Sequence, residues 1–264
     1  MSPLVSRRKA LSMALASAAL GCRSSEHPAP AAARSASPST PAWGGLRVAN
    51  MTQMTELERG GAAVVLLHGF GASGDDLVSL GEALQRPQTR FFLPAAPLEL
   101  AGGGRAWWPI DAADRPRYVT DSPDVARGAS NPALDAARGA VQGVLSTVLE
   151  RYAPTALSIV GFSQGAMLAL DVALAGAPAV TRVGVLSGAL LVDAAARLDV
   201  ARSGHPPVFI SHGRDDHRLP FIGGERMKAA LETHGFPVTW RPFEGGHQIP
   251  RDVVSELRRF LFGA

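Results

Sequence analysis

Short apolar runs alternate with helical segments along most of the chain, and this alternation restricts the fold more than any other feature. Six runs have the length and the aliphatic content of buried strands: residues 62–68, 89–94, 156–162, 183–190, 206–213 and 237–243. Five segments carry apolar residues at helical spacing: 77–85, 133–152, 164–174, 223–235 and 251–262. Strands that alternate with helices form a mostly parallel, doubly wound sheet with helices on both faces.

A serine lies at a sharp turn between one of these strands and the next helix. The turn reads Gly161-Phe162-Ser163-Gln164-Gly165, a G-x-S-x-G pattern in the strand–turn–helix context that the pattern requires. The two glycines allow strand and helix to approach where a β-carbon would clash. The helix N-terminus directs its partial positive charge at any anion formed beside the serine. We therefore predict that Ser163 is a nucleophile rather than a serine in an ordinary glycine-rich turn.

A serine hydroxyl needs a neighbouring base to become nucleophilic. Two later loops, each directly after a strand, carry suitable side chains: Asp215 and Asp216 in the first, His247 in the second. Because parallel strands end at the same edge of the sheet, these loops should meet Ser163. We predict that His247 accepts the serine proton and that an aspartate orients the imidazole and stabilises its charged form. Spacing alone leaves open which aspartate does so.

Acyl transfer also requires hydrogen-bond donors aimed at the developing oxygen anion. The backbone N–H of Gln164, directly after the nucleophile, is one candidate. The loop of residues 68–76, which follows the first predicted strand, would supply the second donor from Phe70. We expect His68, at the start of that loop, to be a structural hydrogen-bonding residue.

Five motifs together resemble a known family: "LLHGFGASGDDL", "GFSQGAMLAL", "LSGALL", "HGRDDHRLP" and "EGGHQI". They are similar to the bacterial carboxylesterase/phospholipase branch of the α/β-hydrolases, which includes the acyl-protein thioesterases. The resemblance extends over roughly residues 60–262. It implies the α/β-hydrolase fold and a serine hydrolase that cleaves carboxylic esters or thioesters, of small molecules or lipids, through an acyl-serine intermediate. It implies no metal and no cofactor.

The resemblance also assigns roles to individual positions. The family's acid is the fourth residue after the histidine of HG-x-x-D, which is Asp216 here, and its second oxyanion donor falls on Phe70. Two alternatives remain open: an acyltransferase or perhydrolase that uses the same triad with an acceptor other than water, and a lipid-anchored binding protein without catalysis. The complete set of serine, aspartate and histidine argues against the second alternative.

Residues 94–130 form a Pro-, Gly- and Arg-rich segment that is longer than is usual in that family. Its aromatic pair, Trp107 and Trp108, would wall an acyl pocket, and Arg105 would contact an acidic group of the substrate. The alternative is that one tryptophan packs in the core and Arg105 is a surface charge, because aromatic residues often pack beneath long loops.

The N-terminus has the parts of an export signal. Residues 1–22 contain a basic cluster with Arg7 and Arg8, similar to a twin-arginine signal, and then an apolar run too short to span a bilayer. The run ends in "ALGC", which resembles the box where bacterial lipoproteins are cleaved and lipidated, here on Cys22. We predict an exported, membrane-anchored lipoprotein facing the periplasm or cell surface; the alternative is an ordinary cleaved signal and a soluble secreted or periplasmic protein.

The remaining sequence divides into a linker and a folded domain. Residues 23–42 are rich in Pro, Ala and Ser without apolar periodicity, and we expect a disordered tether. The catalytic domain should span residues 43–264. The formal net charge is +3: residues 1–42 carry +4 and the remainder −1, so the body has no basic excess and nucleic acid is not an expected partner. The lone cysteine excludes intramolecular disulfides, and the oligomeric state is open.

Overall fold

The computed structural model describes residues 42–52, 58–110, 132–177, 179–198 and 205–263. Cys22, the predicted leader and nearly all of the predicted linker lie outside these residues. A short 3₁₀ helix, Ala42–Gly45, precedes nine strands: β1 Val48–Thr52, β2 Ala62–Leu67, β3 Thr89–Pro94, β4 Leu98–Glu99, β5 Arg105–Ala106, β6 Ala156–Phe162, β7 Val180–Leu186, β8 Val208–Gly213 and β9 Val238–Phe243. The helices are α1 Val78–Leu84, α2 Pro132–Tyr152, α3 Gln164–Leu174, α4 Val192–Leu198, α5 Phe221–Thr233 and α6 Arg251–Phe262.

Seven strands form one sheet in the order β1-β3-β2-β6-β7-β8-β9, in which only β1 is antiparallel to its neighbour. Strands β2, β6 and β8 are buried on both faces because helices cover both faces of a parallel sheet. This is the mostly parallel α/β arrangement that the sequence predicts. The registers pair Leu67 with Gly161 and Phe162 with Leu186, so the carboxyl ends of the central strands lie side by side.

Two apolar cores lie on opposite faces of the sheet. Helices α1 and α6 pack on one face, where Leu84 and Leu257 contact residues of β2, β3 and β8. Helices α2 to α5 cover the other face, with Val144 and Met227 among the buried side chains. None of the helices among the described residues is long and apolar enough to cross a membrane.

Several elements differ from the sequence prediction. Strand β7 begins at Val180 and ends at Leu186, three residues earlier at its start than the apolar run suggested. Strand β1, the β4–β5 hairpin and helix α4 were not predicted. A two-residue strand or a helix of two turns is too short to show a period, and edge strand β1 is largely exposed and so lacks a continuous apolar run.

A buried carboxylate ties three helices together on the α2–α5 face. Asp171 of α3 has no exposed side-chain surface and accepts hydrogen bonds from Arg138 of α2, at 2.5 Å, and from Arg197 of α4. Burial raises the pKa of Asp171, and the two guanidinium groups oppose that shift. This ion cluster fixes α3, the helix that follows Ser163.

Candidate active site

Ser163 occupies a strained turn between β6 and α3. Its backbone angles are φ 55° and ψ −118°, a left-handed conformation that costs a non-glycine residue about 1–3 kcal/mol. The Ser163 N–H donates a hydrogen bond to the carbonyl oxygen of Leu186, at 2.9 Å, on the neighbouring strand β7. The sheet thus holds the serine in a conformation that a free chain would seldom adopt.

Close approach of the chain explains the two glycines of this turn. A β-carbon on Gly161 would overlap the carbonyl group of Gly165, and one on Gly165 would overlap the carbonyl oxygen of Leu67 in β2. The crowding predicted from the sequence is therefore present. A β-carbon on Gly69 would lie 3.3 Å from the β-carbon of Ser163, so the loop after β2 lies directly beside the serine.

A histidine and an aspartate form a hydrogen-bonded pair at the same edge of the sheet. The Nδ1–H of His247 donates to Oδ2 of Asp216 at 2.7 Å. The other oxygen, Oδ1, accepts hydrogen bonds from the backbone N–H groups of Arg218 and Leu219, both at 2.9 Å. The Asp216 side chain is fully buried, and three donors fix its orientation. Asp215, the alternative acid, is exposed.

Backbone hydrogen bonds hold the acid loop against the histidine loop. The N–H of Arg214 donates to the carbonyl oxygen of Phe243, at 3.0 Å, and the N–H of Asp215 donates to that of Gly245, at 2.9 Å. These bonds extend the parallel pairing of β8 and β9 beyond the last strand residues. The sheet itself therefore sets the separation of Asp216 and His247.

The histidine ring packs against the residue that precedes the serine. The ring centroids of His247 and Phe162 are 4.8 Å apart, which brings the imidazole to the β6–α3 turn. Because Nδ1 donates its proton to Asp216, the neutral ring carries its lone pair on Nε2. The pair therefore offers a proton acceptor on the side of the ring away from Asp216.

Two backbone N–H groups near the serine have no partner within the described part of the chain. They belong to Phe70, in the loop after β2, and to Gln164, the first residue of α3. The first N–H groups of a helix have no partner inside the helix and are ready to bind an anion. These are the two groups that the sequence analysis predicts as oxyanion donors, and the Phe70 side chain is 43% exposed.

His68 supports the loop that carries Phe70. The N–H of Ala96 donates to Nε2 of His68 at 2.9 Å, so Nδ1 carries the proton and donates to the carbonyl oxygen of Gly69 at 2.8 Å. Burial lowers the pKa of His68, which keeps the ring neutral. The expected structural role of His68 is confirmed by these contacts.

The side chain of Gln164 performs a task that the sequence analysis missed. Its Oε1 accepts a hydrogen bond from the N–H of Trp107, at 2.9 Å, and its Nε2 donates to the carbonyl oxygen of Trp108, at 2.8 Å. Trp107 Nε1–H in turn donates to the carbonyl oxygen of His68, at 2.9 Å. A polar residue in the apolar run after Ser163 was the available signal, since buried amides are nearly always paired.

The two tryptophans lie in the core and do not line an open surface. Trp107 and Trp108 are each 1% exposed and belong to the apolar cluster beneath α2 and α3. Their burial favours the packing alternative and extends it from one tryptophan to both. The sequence could not reveal this, because aromatic residues beneath a loop and aromatic residues that wall a pocket share one composition.

Arg105 likewise turns toward the protein. Its Nε donates to the carbonyl oxygen of Ala96, and its guanidinium pairs with Glu99 at 2.8 Å across the β4–β5 hairpin. The side chain is mostly covered, so the predicted contact with an acidic substrate group competes with these bonds. Residues 111–131 of the same segment lie outside the described residues.

A second histidine, His212, lies beside the acid. Its Nε2–H donates to the carbonyl oxygen of Leu219, at 2.8 Å, and lies 3.5 Å from Oδ2 of Asp216. Burial lowers the pKa of His212, although the carboxylate of Asp216 opposes that shift. The Nε2–H of a neutral His212 is therefore a weak hydrogen-bond donor near Asp216, and it does not neutralise the charge of that carboxylate. The sequence analysis did not single out this residue.

Comparison with known proteins decides the family. Residues 54–262 match the phospholipase/carboxylesterase family. The chain belongs to this family. It is therefore an enzyme, a serine hydrolase of the carboxylesterase or acyl thioesterase type.

Relatives of this hydrolase include curated proteins and solved structures. It is 24% identical to acyl-protein thioesterase 1 of Gibberella zeae over 76% of this chain and 89% of that protein. It is 25% identical to lysophospholipase-like protein 1 of Mus musculus over 77% of this chain and 87% of that protein. The crystal structure of esterase PE8 is 28% identical, with a TM-score of 0.68 over 82% of this chain and 97% of that chain.

These comparisons confirm the family and the fold that the sequence motifs indicated. They do not assign individual residues. The catalytic roles of Ser163, Asp216 and His247, and the oxyanion roles of Phe70 and Gln164, stay predictions that depend on the contacts described above.

Proposed function

We propose that this hydrolase cleaves carboxylic esters or thioesters through an acyl-serine intermediate formed on Ser163. The observation that carries the proposal is the packing of the His247–Asp216 pair against Phe162, the residue before the strained serine. The proposed nucleophile, base and acid follow the ends of three different parallel strands, β6, β9 and β8, which supports a common site. A binding protein would need neither the strained turn nor the oriented imidazole.

The first half of the reaction follows from these positions. His247 Nε2 takes the hydroxyl proton as Ser163 Oγ bonds to the carbonyl carbon of the substrate. The carbonyl oxygen becomes an anion and accepts hydrogen bonds from the N–H groups of Phe70 and Gln164. The carbon–oxygen or carbon–sulfur bond of the leaving group then breaks, and the alkoxide or thiolate receives the proton from His247. Ser163 remains acylated.

Water completes the cycle. It gives a proton to His247 Nε2 and attacks the acyl carbon, and the same two N–H groups bind the second anion. The carbon–oxygen bond to Ser163 breaks, the serine oxygen takes the proton back, and a carboxylic acid leaves. In both halves the negative charge of Asp216 stabilises the positively charged imidazole.

The names of the relatives indicate the range of substrates to test. One relative is named a thioesterase, one a lysophospholipase-like protein and one an esterase. The exposed ring of Phe70, beside its own N–H donor, supplies apolar surface at the site for an acyl chain. We therefore favour acyl esters and thioesters with an apolar acyl group as the substrate class.

A labelling experiment tests the nucleophile. The wild-type chain should react with a fluorophosphonate probe, and the Ser163→Ala variant should not. A panel of p-nitrophenyl esters and acyl thioesters of graded chain length then measures hydrolysis directly. Labelling that persists in Ser163→Ala, or binding of the panel without turnover, would contradict the proposal.

We further propose export and lipid anchoring through Cys22. The supporting observations are the basic and apolar segments before this residue and its place as the lone cysteine of the chain. The Cys22→Ala variant, expressed with its leader in a bacterial host, should move from the membrane fraction to the soluble fraction. Equal membrane association of both chains would show that Cys22 is not the anchor.

A further inference from the structure

A groove with several arginines lies between α1 and α6, on the face of the sheet that these two helices cover. It has a volume of about 700 Å³. The residues that line it are Ala83, Arg86, Pro87, Arg251, Val254, Ser255, Arg258, Arg259, Phe262 and Gly263. None of the residues around Ser163 or His247 belongs to this set, so the groove is separate from the proposed active site.

All four arginines of the groove are exposed, and Arg86 also lies over the Phe262 ring, 5.2 Å from its centroid. Arg86 donates to the carbonyl oxygen of Phe262, at 3.2 Å, and Arg258 reaches that of Gln85 at 3.5 Å. Arg251 makes no side-chain hydrogen bond or ion pair with any of the described residues. Four guanidinium groups in one concave surface repel each other, and an anion would relieve that repulsion.

The acidic residues of α6 face another part of the protein. Asp252 pairs with Arg241 of β9 at 3.1 Å, and Glu256 pairs with the same arginine at 3.0 Å. Glu256 approaches Arg259 only to 3.7 Å. Among the described residues that line the groove, none is acidic. Helix α6 therefore separates its charges, with the acids toward β9 and the arginines toward the groove.

We propose that this groove binds the headgroups of anionic phospholipids and holds the catalytic domain on a bilayer surface. Guanidinium groups bind phosphate oxygens in a forked, two-bond geometry. Half-buried apolar side chains, Val254 and Phe262, lie among the arginines, and the first methylenes of a lipid can pack on them. The proposal goes beyond ester hydrolysis and does not depend on it.

Two further observations favour a lipid over a soluble phosphate compound. A groove that mixes arginines with aromatic and aliphatic side chains suits a membrane interface, where charged and apolar groups meet. The predicted anchor at Cys22 would also keep the domain within the length of residues 23–42 from a membrane.

Vesicle sedimentation tests the proposal on the full chain. Every protein carries Cys22→Ala, so that a covalent lipid cannot contribute, and the basic leader is the same in all of them. The test variant is Arg251→Gln with Arg259→Gln. Its matched control is Arg226→Gln with Lys228→Gln, which removes two positive charges, one exposed and one half-buried, from α5 on the opposite face of the sheet. Hydrolysis of a soluble short-chain ester monitors folding and should be equal in all chains.

The expected result is a specific loss of binding to phosphatidylglycerol vesicles. Since each arginine at a surface contributes about a fivefold factor, the test variant should bind roughly 25-fold more weakly, while the control stays within about twofold. Vesicles of phosphatidylcholine should bind all chains equally weakly, and raised salt should reduce the difference between the variants.

Three outcomes would overturn the proposal. Equal loss in the test and control variants would show a general charge effect. No difference between test variant and parent would show that the groove does not meet the bilayer. Tight, arginine-dependent binding of inorganic pyrophosphate or of duplex DNA without binding to vesicles would assign the groove to a soluble anion or to a nucleic acid.

Discussion

Two buried carboxylates, Asp216 and Asp171, have no exposed side-chain surface and yet differ in their partners. Asp171 contacts two arginines, which neutralise it and bind three helices together. Asp216 contacts two backbone N–H groups and two histidines, of which His247 donates at 2.7 Å. No arginine or lysine among the described residues forms an ion pair with Asp216.

The difference separates a structural ion cluster, around Asp171, from the pair for which we propose a catalytic role, Asp216 and His247. The two arginines balance the negative charge of Asp171, so that this carboxylate cannot stabilise a further positive charge. The cluster therefore holds the helices together. Around Asp216 the donors are neutral dipoles, so the carboxylate keeps its negative charge. That charge can stabilise a positive imidazole when His247 takes a proton. The comparison predicts that changes at Asp216 alter catalysis and that changes at Asp171 alter stability.

The largest effect should follow from Asp216→Asn. An amide can no longer fix the proton of His247 on Nδ1 or stabilise the charged ring, and kcat should fall on the order of 10⁴-fold. Steady-state hydrolysis of a p-nitrophenyl ester measures the loss. Asp215→Asn is the matched control, since Asp215 is the exposed neighbour in the same loop, and it should keep nearly full activity. A greater loss in the control would exchange the two roles.

Asp171→Asn should lower stability instead. The change leaves Arg138 and Arg197 without their buried counter-charge, which should reduce the free energy of unfolding by about 3–5 kcal/mol. Urea denaturation measures the change, and kcat per probe-labelled site should stay within about threefold of wild type. Asp135→Asn provides a control, because Asp135 pairs with the same Arg138 from an exposed position and should cost less than about 1 kcal/mol.

Acid should destabilise the folded protein through two buried histidines, His212 beside Asp216 and His68 in the loop that carries Phe70. Burial lowers the pKa of His212 and of His68 in the folded state, whereas both titrate near 6.5 in an unfolded chain. Below pH about 6.5 the unfolded state therefore binds more protons, and stability falls as the pH falls. The slope can reach about 1.4 kcal/mol per pH unit for each histidine.

Urea unfolding between pH 7 and pH 5 measures this slope. The His212→Gln variant can still donate to the carbonyl oxygen of Leu219. The slope of its unfolding free energy against pH should be smaller than that of wild type, by an amount that corresponds to at most one proton. An unchanged slope would mean that His212 is not protonated on unfolding.

The smallest effect concerns the backbone strain at Ser163, which has a positive φ. The free energy of unfolding of Ser163→Gly should exceed that of Ser163→Ala by about 1 kcal/mol, because glycine adopts a positive φ without steric cost. Both variants should be inactive. Equal midpoints in thermal denaturation would show that the β6–α3 turn stores no strain.

The sequence predicted the parallel sheet, because its strands are continuous apolar runs. It also predicted the candidate site, because each candidate residue directly follows one of these strands. The turn at Ser163 was predictable from two glycines, and their close contacts are present. The choice between Asp215 and Asp216 needed the family resemblance, since adjacent residues share one loop. Burial separates them at once.

Three-dimensional contacts explain what the sequence could not show. The side-chain bridge of Gln164, the core position of Trp107 and Trp108 and the arginine groove each join segments far apart in the chain. The net charge of residues 43–264 is close to zero, and such a sum does not reveal that arginines cluster on one surface while acids lie on another. The acids of α6 lie closer to Arg241 than to the arginines of the groove, which helps to keep the groove basic.

The double hydrogen bond of Gln164 has a consequence for substitutions at this residue. Its side-chain amide binds one backbone N–H and one backbone carbonyl oxygen, at Trp107 and Trp108, as a neighbouring strand would. These two bonds fix the position of both tryptophans. The same residue carries a proposed oxyanion N–H on its backbone and holds Trp107 and Trp108 with its side chain. A substitution of Gln164 would therefore alter both features at once.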